Sequence, residues 1–223
     1  MNFGRRSFLK FIGVAIAGTT VSRFDPIIRQ QNYFIDNRLG FGFIAPKGWE
    51  VEAFSGFESV SGKQIVDTKD RTKEELEIIE EMSSGKGLSV VVSKYPIGFS
   101  RLGEKYIFSP SVTFFMEDDA ELKNFESLQA LCEQSIEGFG SLLNDYQCFY
   151  NPQKIQGINF EAVRAKSKFL FECENMDPVM VDDEFMLVHY RNKIYSIHLY
   201  DSPYENDVAQ YEFIRFKESL HIA

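Results

Sequence analysis

The sequence predicts an α+β domain organised around an antiparallel sheet, and three observations predict it. Four β-rich runs, at 146–155, 158–173, 183–191 and 194–200, follow one another with turns at Gln156-Gly157 and Arg191-Asn192-Lys193, the pattern of a strand meander. Before them, Phe125, Leu128, Leu131, Cys132, Ile136, Phe139 and Leu143 recur at three- to four-residue intervals behind Asn124, a good helix N-cap. After them, Ser202-Pro203 ends the sheet. Asn206 then opens a final helix whose Val208, Tyr211, Ile214, Phe216 and Leu220 are expected to turn mostly one way.

The N-terminal half supplies further strands. Residues 32–36 and 40–45 read as short strands, and Pro46-Lys47-Gly48 makes a turn into Trp49-Glu50-Val51. A strand is expected at 64–66. A short surface helix is expected over 72–82, where Leu76, Ile79 and Met82 share a face, Thr72 and Glu75 form a capping-box pattern, and Gly85 stops it. The β-branched run 88–95 and the run 111–116, which ends in the acidic turn Glu117-Asp118-Asp119, both read as strands. Between them, 96–110 is rich in Gly, Ser and aromatic residues and reads as a long loop able to carry a function.

Composition narrows the class. The 223 residues are 44% apolar and 26% charged, ordinary for a globular chain, and 22 Phe with 10 Tyr provide ample large side chains for one core, which excludes disorder. Net charge is −9. Residues 1–22 hold Arg5, Arg6 and Lys10 and no acidic group, so the remainder sets 21 basic against 33 acidic residues, or −12. That balance repels phosphates and anionic headgroups, so neither nucleic acid nor a bare membrane surface is expected as a partner.

The N-terminus points to export. Arg5, Arg6, Ser7, Phe8, Leu9 and Lys10 resemble the twin-arginine translocation motif in its RRxFLK form, departing from it in Gly4, where Ser or Thr is usual. The apolar stretch behind it, 11–21, is diluted by Gly13, Gly18, Thr19 and Thr20 and falls far short of the roughly 20 residues that span a bilayer. No stable membrane anchor is therefore expected. Cleavage fits after Ala17 or after Ser22, and the absence of Cys from the first thirty residues disfavours lipid attachment. The expected organisation is a targeting segment over 1–30 and a single globular domain over 31–223, working in the periplasm or otherwise outside the cytoplasm.

Several strings resemble the PsbP-like superfamily. Leu39-Gly40-Phe41-Gly42-Phe43-Ile44-Ala45-Pro46-Lys47-Gly48-Trp49 is similar to that family's opening strand, Pro-x-Gly-Trp turn and second strand. The ending is similar too, with strands around Asn192-Lys193, Tyr195 at the turn exit and a helix finishing in Phe216-Lys217-Glu218-Ser219-Leu220. The resemblance covers about residues 33–221. It implies an α/β/α sandwich, a central antiparallel sheet with helices on both faces, and a non-enzymatic protein-binding or assembly role. It carries over no functional residue. The helix at 72–82 and the 96–110 segment depart from the family pattern.

Candidate chemistry is sparse. The chain contains none of GxGxxG, GxxxxGK[ST], HExxH or an EF-hand loop, so no cofactor and no metal is expected. Cys132, Cys148 and Cys173 are odd in number and lack zinc-site spacing, so free buried thiols are the simpler reading, with one disulfide open to an oxidising compartment. Gly138-Phe139-Gly140-Ser141 has both glycines before the serine and is not a GxSxG elbow, leaving no catalytic serine. His189 and His198 fall on adjacent predicted strands and are weighed as a facing acid/base or metal pair against ordinary strand histidines. Glu117-Asp118-Asp119 and Asp182-Asp183-Glu184 are weighed as a joint calcium site against solvated turns. Tyr95, Phe99, Tyr106 and Phe108 flank the long loop and are the residues expected to contact an envelope-protein partner. A small apolar ligand held between sheet and helix is the alternative, and a hydrolase or metal-dependent enzyme without a recognisable motif is the remaining one.

Overall fold

The computed structural model describes residues 27–30, 32–36, 40–52, 73, 88–95, 99–102, 105–120, 122–155, 160–172, 177–202 and 206–222. The twin-arginine motif and the expected strand at 64–66 lie outside the described residues, as does the helix at 72–82 apart from helical Lys73.

Among the described residues, three antiparallel sheets and two helices make an α+β fold. The main sheet has seven strands: β4 (Glu50–Glu52), β5 (Leu88–Ser93), β8 (Ser111–Asp118), β9 (Asn144–Lys154), β10 (Glu161–Phe171), β11 (Val179–Tyr190) and β12 (Lys193–Asp201). Their order across the sheet is β4-β5-β8-β12-β11-β10-β9, with β9 at one edge. The predicted meander is therefore present, with β11 and β12 joined by a two-residue turn that places Arg191 in the left-handed region at φ 56. A four-stranded sheet joins β2 (Tyr33–Asp36) and β3 (Phe41–Ile44), the strands expected at 32–36 and 40–45, to two strands not expected from the sequence, β1 (Ile27–Gln30) and β13 (His221–Ile222). Its last pair, Ile222 opposite Phe41, ties the C-terminus to the N-terminal strands. The turn after β3 is type II: the Trp49 N–H donates to the Pro46 carbonyl at 3.1 Å, and Gly48 takes the required positive φ of 86.

Residues 96–110 are not one long loop. β6 (Phe99–Leu102) pairs with β7 (Lys105–Phe108) as a hairpin, Phe99 opposite Phe108. Its base is held by the Lys94 N–H donating to Pro110 O at 2.9 Å and by Ser109 Oγ, which accepts from the Tyr95 N–H at 3.1 Å.

The first helix, α1 (Leu128–Leu142), starts three residues later than a cap at Asn124 suggests. Residues 122–124 form a 3-10 turn, and Ser127, extended at φ −163, caps the helix by accepting from the Ala130 N–H at 3.1 Å. The final helix, α2 (Asn206–Ser219), begins where predicted.

Two apolar cores flank these elements. One gathers Leu128, Leu131, Cys132 and Phe139 of α1 with Val163, Ala165, Phe169, Phe185, Leu187, Ile194 and Tyr200. The other gathers Phe34, Phe41 and Phe43 with Phe114, Tyr195, Ile197 and Leu199, and with Ala209, Phe213 and Phe216 of α2. Successive residues of β12 thus feed different cores, which is why every residue from Ile194 to Asp201 is buried rather than every second one.

Candidate functional site

The hydrogen-bonding groups of the α1 core pair off in three small sets. Asp183 on β11 and His198 on β12 meet side by side, with Asp183 Oδ2 accepting from His198 Nδ1 at 2.9 Å. Ser196 Oγ lies 3.4 Å from the other ring nitrogen, Nε2. Tyr146 bonds to Ser167 and Tyr200 to Thr113, and burial pushes both phenols above the ordinary tyrosine range. The order Ser–His–Asp has the connectivity of a nucleophilic triad. Its surroundings do not suit catalysis: His198 is 1% exposed, stacked on Phe185 and Tyr200 and edge-on to Phe139, while Ser196 is also 1% exposed. Ser196 and His198 are thus enclosed by apolar side chains, and the hydrogen bonds of the set satisfy polar atoms inside a core.

The histidine pair weighed against ordinary strand histidines does not form. His189 lies opposite Ile194 and His198 opposite Phe185, so the two are four residues apart along the sheet, about 13 Å. His189 instead pairs with Asp119 at 3.3 Å. The two acidic clusters also stay apart. Asp118 is opposite Lys193 at the turn end, whereas Asp182 is opposite Asp201 at the far end, about 25 Å along β11. Among the described residues, no group of three His, Cys, Asp or Glu side chains is arranged to hold a metal. Ser141 lies within α1, where its hydroxyl donates to the Gly138 carbonyl at 2.8 Å.

The four aromatic residues expected to meet a partner are divided by the structure. Phe108 is 3% exposed and packs edge-on to Phe171 and Tyr200, so it is a core residue and not a surface contact. Tyr95 is half-buried, with the Lys94 ammonium 5.5 Å from its ring centre. Phe99 and Tyr106 stand in β6 and β7, and their side chains lie outside the described residues.

The surface that sequence reasoning missed is on α2. Ala209, Phe213 and Phe216 face the core, while Tyr211 is 60% and Ile214 49% exposed. The one-sided face predicted from Val208, Tyr211, Ile214, Phe216 and Leu220 is therefore corrected: spacing alone offered two phases, and the aromatic pair Phe213 and Phe216 won the core. A cleft runs along each side of the helix. One, of about 370 Å³, lies against the main sheet and is lined by Phe149, Leu199, Phe213, Ile214, Glu184 and Lys217. The other, of about 900 Å³, lies against the β3 turn and is lined by Ile44, Pro46, Lys47, Tyr211, Arg215 and Phe216. Polar groups frame both. Glu184 Oε1 and Oε2 accept from Lys217 Nζ at 2.9 and 3.0 Å, and the Arg215 guanidinium lies 5.1 Å from the Tyr211 ring centre. Burial raises the Glu184 carboxyl, but Lys217, Lys166 and Arg164 together outweigh it and leave it below its ordinary value.

No protein-family model matches the chain, and no curated protein matches it. Solved structures do. The solution structure of cyanobacterial PsbP (CyanoP) from Synechocystis sp. PCC 6803 matches with a TM-score of 0.50 at 11% identity, covering 92% of this chain and 99% of that one. The fold is PsbP-like. LpqN, described as involved in cell envelope biogenesis of Mycobacterium tuberculosis, matches at a TM-score of 0.39 and 10% identity, over 82% of this chain and 83% of that one. At this identity, what the chain shares with CyanoP is its fold. No helix among its described residues is long and apolar enough to cross a membrane.

Proposed function

We propose that this chain is an exported, non-enzymatic protein-binding or assembly factor of the bacterial periplasm. In this reading residues 1–30 direct it through the twin-arginine route, and 31–223 form one domain that engages another envelope protein. The domain is a layered sandwich, with α1 on one face of the seven-stranded sheet and α2 on the other. That layering is supported by Ile194 and Tyr200 of β12 packing with α1 while Tyr195, Ile197 and Leu199 pack with α2.

One observation carries the binding reading. Of the five large hydrophobic side chains exposed among the described residues, four line the clefts beside α2: Phe149 and Ile214 in one, Ile44 and Tyr211 in the other. Apolar groups rimmed by charge, with Tyr and Arg at the centre, are the composition of a protein-binding surface. The β6–β7 hairpin, with Tyr95, Phe99 and Tyr106, is the second surface in this reading.

The test is crosslinking in intact cells with a tagged full-length precursor, followed by recovery of the mature form from the envelope fraction. A specific protein should accompany it and be lost in Ile214→Asp and Tyr211→Asp. Loss in Phe99→Ser instead would move the contact to the hairpin, and recovery of the chain alone in every case contradicts the reading. Export has its own test: Arg5→Lys with Arg6→Lys should retain the precursor inside, and unchanged export would overturn the twin-arginine route.

A second reading has a specific observation behind it. The smaller cleft lies between α2 and the sheet, and at about 370 Å³ with Phe149, Leu199 and Phe213 beside Lys166, Glu184 and Lys217 in its wall it suits a small molecule with an apolar body and a polar group. Native mass spectrometry of the purified chain would show such a molecule as a discrete added mass, lost in Leu199→Trp.

A further inference from the structure

We propose that Cys132 and Cys148 are a redox pair, which closes into a disulfide tying α1 to the edge strand β9 when the folded chain meets a disulfide donor. The proposal is independent of the partner-binding reading.

Chain geometry brings the two residues together. A single residue, Leu143, separates the end of α1 from the start of β9; its N–H donates to the Phe139 carbonyl at 2.8 Å, and Asp145 turns the chain at φ 49. The helix and strand therefore run back along each other. Phe139 and Tyr146, with ring centres 6.0 Å apart, fix their register near the turn. Counting away from that contact, Cys132 is two helical turns back, about 10.5 Å, and Cys148 is two strand residues forward, about 6.6 Å. The offset along the axis is only about 4 Å, so the two cysteines sit at nearly the same level where α1 packs on β9.

Both side chains also face the same core. Cys132 belongs to the sheet-facing row of α1 and is fully buried. Cys148 is half-buried, lies opposite buried Ser167 on β10, and packs against the same core. Burial pushes the Cys132 thiol up to about 12, and the neighbouring Cys148 sulfur is the next largest cause, ahead of adjacent Glu133.

The chemistry follows from this asymmetry. The accessible Cys148 reacts first, leaving its 3.1 Å hydrogen bond to the Tyr150 carbonyl. Its thiolate attacks a low-molecular-weight disulfide such as oxidised glutathione, forms a mixed disulfide and releases one thiolate. Cys132 then loses its proton to solvent and attacks the Cys148 sulfur, forming the Cys132–Cys148 bond and releasing the second thiolate. The two protein thiols lose two electrons and two protons, and the donor is reduced to two thiols.

The test uses the full chain, purified reduced, exposed to oxidised glutathione under native conditions and analysed by mass spectrometry. Trypsin alone leaves both cysteines in one peptide, so a second cut at Glu133 or Glu137 is needed to separate them. The expected product is lighter by two hydrogens and yields one crosslinked pair joining Cys132 to Cys148. Cys173→Ser should give the same product, and Cys132→Ser should stop at a glutathione adduct on Cys148. The proposal is overturned if both thiols alkylate freely after oxidation, if the adduct on Cys148 persists in the unmodified chain, or if Cys148 pairs with Cys173.

Discussion

The core beneath α1 contains Asp183, His198, Ser196, Ser167 and Thr113 among its apolar side chains, whereas the core beneath α2 is built around stacked aromatic rings. Phe114 is typical of the α2 core, its ring lying 4.8 Å from Phe41, 5.2 Å from Phe43 and 5.6 Å from Phe216. The α1 core depends on direction, because each buried polar atom has to meet a particular partner. The α2 core depends on volume. A sheet that feeds both cores from alternate residues of one strand can thus be fragile in two different ways.

Substitutions separate the two. The largest effect is expected in the aromatic core, where Phe114→Ala should cost about 4 kcal/mol in urea unfolding, through lost burial and an unfilled cavity. Asp183→Ala should cost about 3 kcal/mol by leaving His198 buried without its partner. The double change Asp183→Leu with His198→Phe should recover most of that, to within about 1 kcal/mol of the starting chain, since neither polar group then needs satisfying. If the double variant were as unstable as the single one, shape and not polarity would govern the α1 core.

Smaller effects lie on the α2 surface. Lys217→Met should cost about 1 kcal/mol, because the pair with Glu184 is partly screened. The folded Glu184 carboxyl is lowered, so the pair's contribution is complete above the ordinary glutamate value of 4.5 and disappears as pH falls through the lowered folded value. Unfolding of Glu184→Gln followed from pH 7 to pH 3 should lack that acid-dependent loss. Ile214→Asp, smallest of all for stability, should stay within about 0.5 kcal/mol of the parent while abolishing partner recovery.

The sequence made the meander and the final helix legible because their signals are local: turn residues at short spacing and apolar residues at helical spacing. Two features escaped because they are settled by distant residues. The four-stranded sheet closes only when Ile222 reaches Phe41, and no local pattern announces a two-residue strand. The outward turn of Tyr211 and Ile214 depends on which phase of α2 meets the Phe43 and Phe114 rings. The β6–β7 hairpin is different. Gly103 and Glu104 separate two β-rich runs, a spacing that is itself a hairpin signal. The abundance of Gly and Ser around it masked that signal. Ser127 prevailed over Asn124 as cap because Leu122–Asn124 had already closed a 3-10 turn. For the histidines, strand assignment was correct, and the register that put His198 beside Asp183 was the missing knowledge.

Whether the face carrying α2 receives another protein is tested most directly by placing a photoactivatable crosslinking residue at position 214 in living cells, with one at the exposed, outward position 133 of α1 as comparison. A discrete adduct of one envelope protein is expected from position 214 and none from position 133. Equal adducts from both positions, or none from 214 while the chain is exported and folded, would contradict a docking role for that face.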